Sequence, residues 1–286
     1  MLSLIEKEKQ TENLKLSKPD FSTKSGREFL AFYLQAKLKK IVAHDKKNEI
    51  PIFKEIQPDF ISRFSRKLID NPTQRIMIAL TGESASGKTT ICNTVKEAIA
   101  KFDMPIEIIS ADNYFNDISD LIKKYGSFDA LRDHGYDVDS PESFQLKLLK
   151  EDLIKLKNGS DVKIPQYLVN GTGISVPNSI LKQSKKIIVV EGIATVYKDI
   201  KDVFDIKVYV DIDKQLQKRW FLNRAVERNQ DSENALKHWE YIQIAAEKYV
   251  HPQKSECDII INGEAYLGYY KQFLEYMYTV TNSFSA

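Results

Sequence analysis

Apolar residues along this chain gather in short runs at Ile76–Leu80, Ile106–Ser110, Lys186–Glu191, Ile206–Asp211 and Cys257–Ile261. The runs are rich in Ile and Val and apolar on both faces, the pattern of strands buried inside a parallel sheet. Between them, apolar positions recur at helical spacing over Lys88–Lys101, Ser140–Lys157, Lys214–Arg228, Ser232–Tyr249 and Ala265–Thr281. Ser140-Pro141 supplies an N-cap and a first-turn proline, and Gly159 a stop. The alternation predicts an α/β fold with a five-stranded parallel sheet flanked by helices.

The first 74 residues follow another pattern. Residues 1–24 are polar and read as mobile or partly helical. Ser25–His44 and Pro58–Leu68 are amphipathic at helical period, and Asn71-Pro72 ends the second stretch. The chain is thus expected to carry a helical N-terminal extension over 1–74 and one α/β domain over 75–286. Within that domain, Val162–Leu168 and Ile174–Val176 flank Asn170-Gly171-Thr172-Gly173. That predicts a small β-hairpin excursion over about 161–176.

Composition narrows the partners. The chain has 286 residues, enough for one sizeable core, and a formal net charge of only +2. No overall basicity suggests nucleic acid, although basic residues outnumber acidic ones in the first 74. The two cysteines, Cys92 and Cys257, read as small core residues rather than a disulfide pair. No apolar run approaches the roughly 18 residues of a membrane span, and the charged first ten residues do not form a secretory leader. A soluble cytoplasmic protein with no nucleic-acid or membrane partner is expected.

The chemistry is concentrated in Gly82-Glu83-Ser84-Ala85-Ser86-Gly87-Lys88-Thr89, followed by Thr90. Two glycines five apart, then Lys and Thr, stand between a buried strand and a helix N-terminus. Backbone N–H groups and the helix dipole there converge on an anion. Lys88 would reach the β- and γ-phosphates of ATP or GTP, and Thr89 would offer its hydroxyl to Mg²⁺. Two acids follow strands: Asp112 after Ile109-Ser110-Ala111, and Glu191 after Val189-Val190. Ligands of open parallel sheets bind at those strand ends. A carboxylate there can take the proton of an alcohol acceptor or hold a metal ion, and either acid alone suits a solvated turn equally. Asp139, before Ser140-Pro141, also suits helix N-terminal electrostatics. Arg219, Arg224 and Arg228 occupy the segment about 214–230. They could close over a nucleotide as a lid or simply solvate a helix.

Together these segments resemble the uridine kinase/phosphoribulokinase family of P-loop kinases. The family's G-x-S-x-S-G-K-T is matched by Gly82–Thr89. Its I-S-x-D-x-[FY] is similar to Ile109–Tyr114, which implies that Asp112 is the general base. Its F-D-H-P-x-A-F is similar to Val138–Phe144, implying that Asp139 holds the acceptor's ribose hydroxyls. Its [LV]-x-E-G-I resembles Val189–Ile193, placing Glu191 near the metal. The arginine-rich lid resembles Lys218–Arg228, with the arginine spacing off by one. Glu247–Lys254 and Cys257–Ile261 match E-x-[FY]-x-x-P-x-K and A-D-x-I-I. The likeness spans roughly residues 75–263. The family's base-reading segment ends in a His; here Tyr167 is kept, but Thr172 stands at the His position.

The resemblance implies a Mg²⁺-dependent transfer of the ATP γ-phosphoryl group to a primary alcohol. The first expectation is the 5′-hydroxyl of uridine or cytidine. Asp112, Lys88, Arg219, Arg224 and Arg228 would carry catalysis, residues 82–90 would bind nucleotide, and Asp139 and Tyr167 would bind the acceptor. Thr89, Glu191 and Asp112 would serve the metal. Two alternatives stay open: another small alcohol such as pantothenate, or a non-catalytic nucleotide switch using the prefix as a partner arm. The prefix is equally open to packing on the core or building a homo-oligomer.

Overall fold

The computed structural model describes residues 23–70, 74–100, 106–228 and 230–272. In chain order the elements are α1 (Lys24–Asp45), β1 (Phe53–Ile56), α2 (Phe60–Asp70), β2 (Ile76–Gly82), α3 (Lys88–Ala100) and β3 (Ile106–Ser110). There follow α4 (Ser119–Tyr125), α5 (Phe128–Asp133), α6 (Leu146–Lys157), β4 (Val162–Tyr167), β5 (Ser175–Lys182) and β6 (Ile187–Glu191). Last come β7 (Ile206–Asp211), α7 (Lys214–Glu227), α8 (Ser232–Ala245) and β8 (Ile259–Asn262). The helix expected over Ala265–Thr281 is described only at 267–272. The polar segment 1–22, the Asn71-Pro72 break and the residues beyond 272 lie outside the described residues. Among the described residues no helix is long and apolar enough to cross a membrane.

The chain divides into two compact units. One falls within residues 1–74, 89–104 and 258–286. Here β1 pairs antiparallel with β8, Phe53 opposite Ile261 and Ile56 opposite Ile259. The buried Asp45 carboxylate accepts from the backbone N–H groups of Ile52 (3.1 Å) and Phe53 (2.9 Å), fixing the turn between α1 and β1. Arg63 on α2 donates to Asp258 at 2.7 Å. The described part of the extension therefore has packing partners in its own unit, and it contributes a strand that the sequence pattern does not predict.

The other unit holds residues 75–88 and 105–257. Its sheet is parallel, in the order β7-β2-β6-β3. Met77, Ala79, Ile109, Ile188 and Val190 are fully or almost fully buried in it, as strands covered on both faces require. On α6, Leu149, Leu153 and Leu156 recur at helical spacing and are all buried. Helix starts are set by side-chain caps: Asp213 accepts from Gln215 and Leu216 N–H, and Asp231 from Glu233 and Asn234 N–H.

Two differences from the sequence pattern have local causes. The helix expected over Ser140–Lys157 is split. Pro141–Ser143 forms one 3₁₀ turn, Phe144 is extended, and α6 begins at Leu146. Tertiary backbone bonds take the groups that a continuous helix would use: Asn116 N–H donates to Ser143 O (2.9 Å) and Gln145 N–H to Tyr114 O (2.7 Å). The hairpin excursion is also longer than expected. β5 runs to Lys182, where Lys182 Nζ donates to Ile108 O (2.6 Å) and to Glu107 (3.1 Å).

Candidate active site

The phosphate loop leaves β2 at Gly82. That residue lies opposite Val210 of β7, with φ +140°, and a Cβ there would stand 2.5 Å from the Val210 carbonyl oxygen. Only glycine fits. Gly87 and Ala85 also have positive φ, so the loop curls its backbone around a central space. The Ser86 hydroxyl is buried without a hydrogen-bond partner, which is unusual for so enclosed a group. Lys88 is buried, and its Nζ donates to the carbonyls of Gly82 (2.7 Å) and Glu83 (2.8 Å). Burial pulls the Lys88 ammonium below the ordinary lysine range, and the charges of Glu191 and Asp112 oppose that pull. A backbone cradle closed to side chains, an orphaned hydroxyl and a buried ammonium fit a nucleotide's phosphates.

Asp112 sits in a 3₁₀ turn, Ala111–Tyr114, just after β3. That turn is tied to α6 by the Tyr114 hydroxyl, which donates to the buried Asp152 carboxylate at 3.1 Å. It is tied to the segment after Asp139 by the bridge between Phe115 and Phe144. Asp112 is solvent-accessible yet crowded by protein; that crowding, then the Glu191 charge, pushes its carboxyl up to about 6, against the pull of Lys88. Glu191 ends β6, and its neighbour Gly192 has φ +142°. A Cβ on Gly192 would come within 2.9 Å of Ala111 Cβ and 3.3 Å of Asp112 Oδ1. Gly192→Ala is therefore expected to displace the Asp112 turn. Loss of stability should be about 1–3 kcal/mol, with a fall in turnover, checked by thermal unfolding and initial rates together.

Asp139 lies across from this turn. Its backbone carbonyl accepts from the Tyr197 hydroxyl at 2.5 Å. Burial raises its carboxyl to about 6, while the Arg132 guanidinium pulls the other way. Phe115 and Phe144 stack at 4.2 Å, the Tyr167 ring stands 5.2 Å from Phe115, and Phe144 meets the edge of the Tyr197 ring at 6.0 Å, so the aromatic cluster reaches Asp139 through Tyr197. Arg224 on α7 is electrostatically coupled to both Lys88 and Asp112. Arg228 follows one turn later on the same side. Arg219 is exposed, and five positions before Arg224 put it about 140° around the helix. The structure thus gathers Lys88, Asp112, Glu191, Asp139 and Arg224, and leaves Arg219 on another face.

Several contributors carry no motif. Arg132, on the short helix α5, donates to Asp129 (2.8 Å) and His238 Nε2 (3.1 Å). Burial and then the charges of Arg132, Arg228 and Arg224 drive His238 down to about 4, so its Nε2 is free to accept. Gln253 joins two strand ends: Thr81 Oγ1 donates to it (2.6 Å), and its own Nε2 donates to Ile193 O (2.7 Å). Neither spacing nor neighbouring residues mark Arg132 in the sequence, and Gln253 stands at an unspecified position of the matched Glu247–Lys254 segment, between Pro252 and Lys254. Among the described residues no cluster of three or more His, Cys, Asp or Glu side chains could hold a metal by itself. The two interacting carboxylates of Asp112 and Glu191 beside the phosphate cradle suit a cation that arrives with nucleotide phosphates.

A parallel sheet, a glycine-bounded phosphate loop with its lysine, and acids at the strand ends define an ATP-dependent P-loop kinase. The chain matches the Phosphoribulokinase / Uridine kinase family over residues 77–265, and it belongs to that family. It is 31% identical to the uridine kinase of Staphylococcus carnosus over 191 residues, 65% of this chain and 86% of that one. It is 28% identical over 188 residues to uridine-cytidine kinase B of Dictyostelium discoideum, covering 65% and 73% of the two chains. Other relatives are longer proteins, of which the match spans 37% to 39%. In fold, the chain is similar to a candidate fructose transport system kinase from Silicibacter sp. TM1040. That likeness has a TM-score of 0.53 at 17% identity, over 65% of this chain and 89% of that one.

Proposed function

We propose that this kinase phosphorylates the primary hydroxyl of a nucleoside, with uridine and cytidine the first candidates. The observation that carries the reading is the placement of Asp112 and Asp139 together around Lys88, with the Asp139 charge felt at Asp112. One acid lies next to the donor loop and the other is bordered by aromatic rings, as a reacting hydroxyl and a sugar–base pair would need. The relatives named uridine kinase and uridine-cytidine kinase support the same acceptor class.

In this reading the loop amides and Lys88 hold the β- and γ-phosphates, which compete with the Gly82 and Glu83 carbonyls for the ammonium. Asp112 accepts the proton of the acceptor hydroxyl as its oxygen attacks the γ-phosphorus. Arg224, with Arg228 behind it, neutralises charge on the transferring group. Asp139 accepts hydrogen bonds from the sugar hydroxyls, and Phe115 and Tyr167 flank the base. Mg²⁺, held by Glu191 and Asp112 with the phosphates, would supply further charge neutralisation.

One observation favours a second acceptor. Thr172 stands where the family places a base-reading His, and its hydroxyl donates to Asn170 Oδ1 at 2.5 Å. A hydroxyl already engaged in its own turn offers the base little discrimination. Another small alcohol, pantothenate among them, is the competing reading. The test is phosphoryl transfer from Mg·ATP to uridine, cytidine, adenosine, pantothenate and ribulose 5-phosphate, with Asp139→Asn alongside. The expected result is selective turnover of uridine and cytidine. Asp139→Asn should raise the acceptor KM about tenfold or more, the loss of one or two charge-assisted hydrogen bonds, and leave the ATP KM unchanged. Silence on both pyrimidine nucleosides would sink the nucleoside assignment.

A further inference from the structure

We propose that Glu83, inside the phosphate loop, is a positioning residue that fastens the arginine-bearing helix α7 to that loop. The inference rests on the kinase class and not on the identity of the acceptor. An acid in this position opposes the binding of phosphate, and its side chain, unlike its backbone, has no part in the chemistry described above. Its contacts supply a reason for its presence.

The Glu83 carboxylate is buried, and it accepts from Lys214 Nζ at 2.5 Å and from Gln217 Nε2 at 3.2 Å. Gln217 Nε2 also donates to the Ser84 carbonyl at 2.8 Å. Lys214 and Gln217 are three apart, so the same side of the first turn of α7 grips two successive loop residues. On the other side, Glu83 Oε1 lies 2.8 Å from His251 Nε2, which must carry the proton because a carboxylate only accepts. Lys214 Nζ also donates to Gln243 Oε1 on α8 at 2.8 Å. The next loop residue, Ala85, packs in an apolar cluster with Phe221, Leu222, Trp239 and Ile242 of α7 and α8. Three consecutive loop residues are therefore braced against the two helices, and Glu83 carries the charged part of that brace. Burial pulls its carboxyl up, but Lys214 and His251 more than offset this and hold it below the usual carboxylate range.

The mechanical consequence falls on Arg224, ten residues beyond Lys214 and about 15 Å along the helix. A tilt of about 10° at the Glu83 end would shift Arg224 by about 2–3 Å. That is enough to remove a guanidinium from hydrogen-bond range of a transferring phosphoryl group. Glu83 thus acts through Arg224 and touches no reacting atom.

The chain has two tryptophans, Trp220 on α7 and Trp239 on α8, so intrinsic emission reports on these helices without any acceptor. Glu83→Ala, Lys214→Met and Lys214→Arg would be compared, each alone and with Arg224→Ala. ATP affinity would be read by calorimetry. Turnover would be read with whichever acceptor the panel identifies, or as ATP hydrolysis where none reacts. Glu83→Ala and Lys214→Met are expected to lower turnover about ten- to a hundredfold with ATP affinity within about threefold. Both should alter the emission change on ATP addition, and Lys214→Arg should largely retain the wild-type values. The double variant Glu83→Ala/Arg224→Ala should be no slower than Arg224→Ala alone. Additive losses in that double variant, or wild-type turnover and emission in Glu83→Ala, would overturn the proposal. If Glu83→Ala does not fold, Lys214→Met and its combination with Arg224→Ala decide the same question. A silent acceptor panel would dismiss the nucleoside reading and leave this comparison intact.

Discussion

Lys88→Ala is expected to abolish measurable phosphoryl transfer, lowering kcat by at least about 10²–10³-fold. Two losses add. The ammonium is the buried positive charge at the loop, within electrostatic reach of Glu191 and Asp112, and nothing in an alanine replaces it at the γ-phosphate. The same Nζ also caps the Gly82 and Glu83 carbonyls, so its removal leaves two enclosed acceptors without their donor. Initial rates with saturating ATP, beside a thermal unfolding curve, separate the chemical loss from a structural one. Turnover within about tenfold of wild type would move the phosphate-binding role to another residue.

Asp112→Asn is expected to lower turnover by about 10²–10⁴-fold while ATP still binds. Asparagine keeps the shape of the side chain and cannot take a proton. The wild-type carboxyl is pushed up to about 6, so it is a base above that pH and is silenced below it. Activity should therefore decline as pH falls through about 6, and that limb should disappear from the residual rate of Asp112→Asn. A variant with near-wild-type turnover, or one that keeps the acid limb, would remove Asp112 from the role of base.

Much of this architecture is legible in the sequence, because parallel strands covered on both faces leave uninterrupted Ile and Val runs. β3 and β7 coincide with their runs at Ile106–Ser110 and Ile206–Asp211. β1 is not legible: Phe53-Lys54-Glu55-Ile56 has two charged residues in four, and its existence depends on pairing with the distant β8. Helices α4 and α5 are too short to show a period. In the structure Gly126 ends the first in a left-handed conformation and Ser127 Oγ caps the second. In the site, Lys88, Asp112, Glu191 and Asp139 were visible because each follows or precedes an element with a recognisable edge. Arg132 was invisible because its importance lies in the groups around it, which are Asp139 and, from distant parts of the sequence, the neutral His238 of α8 and the arginines of α7. The arginine spacing gave three candidates, and helix geometry separates Arg219 from the other two.

The neutral His238 between Arg132, Arg224 and Arg228 also bears on how rate profiles of this enzyme should be interpreted. A kinetic inflection near pH 6 is ordinarily credited to imidazole. Here the imidazole nearest the arginines has already lost its proton two pH units lower, at about 4, while two carboxyls titrate at about 6. Carboxylic acids ionise with little heat and imidazoles with a good deal, so the inflection should stay put on warming, where one from imidazole would drift.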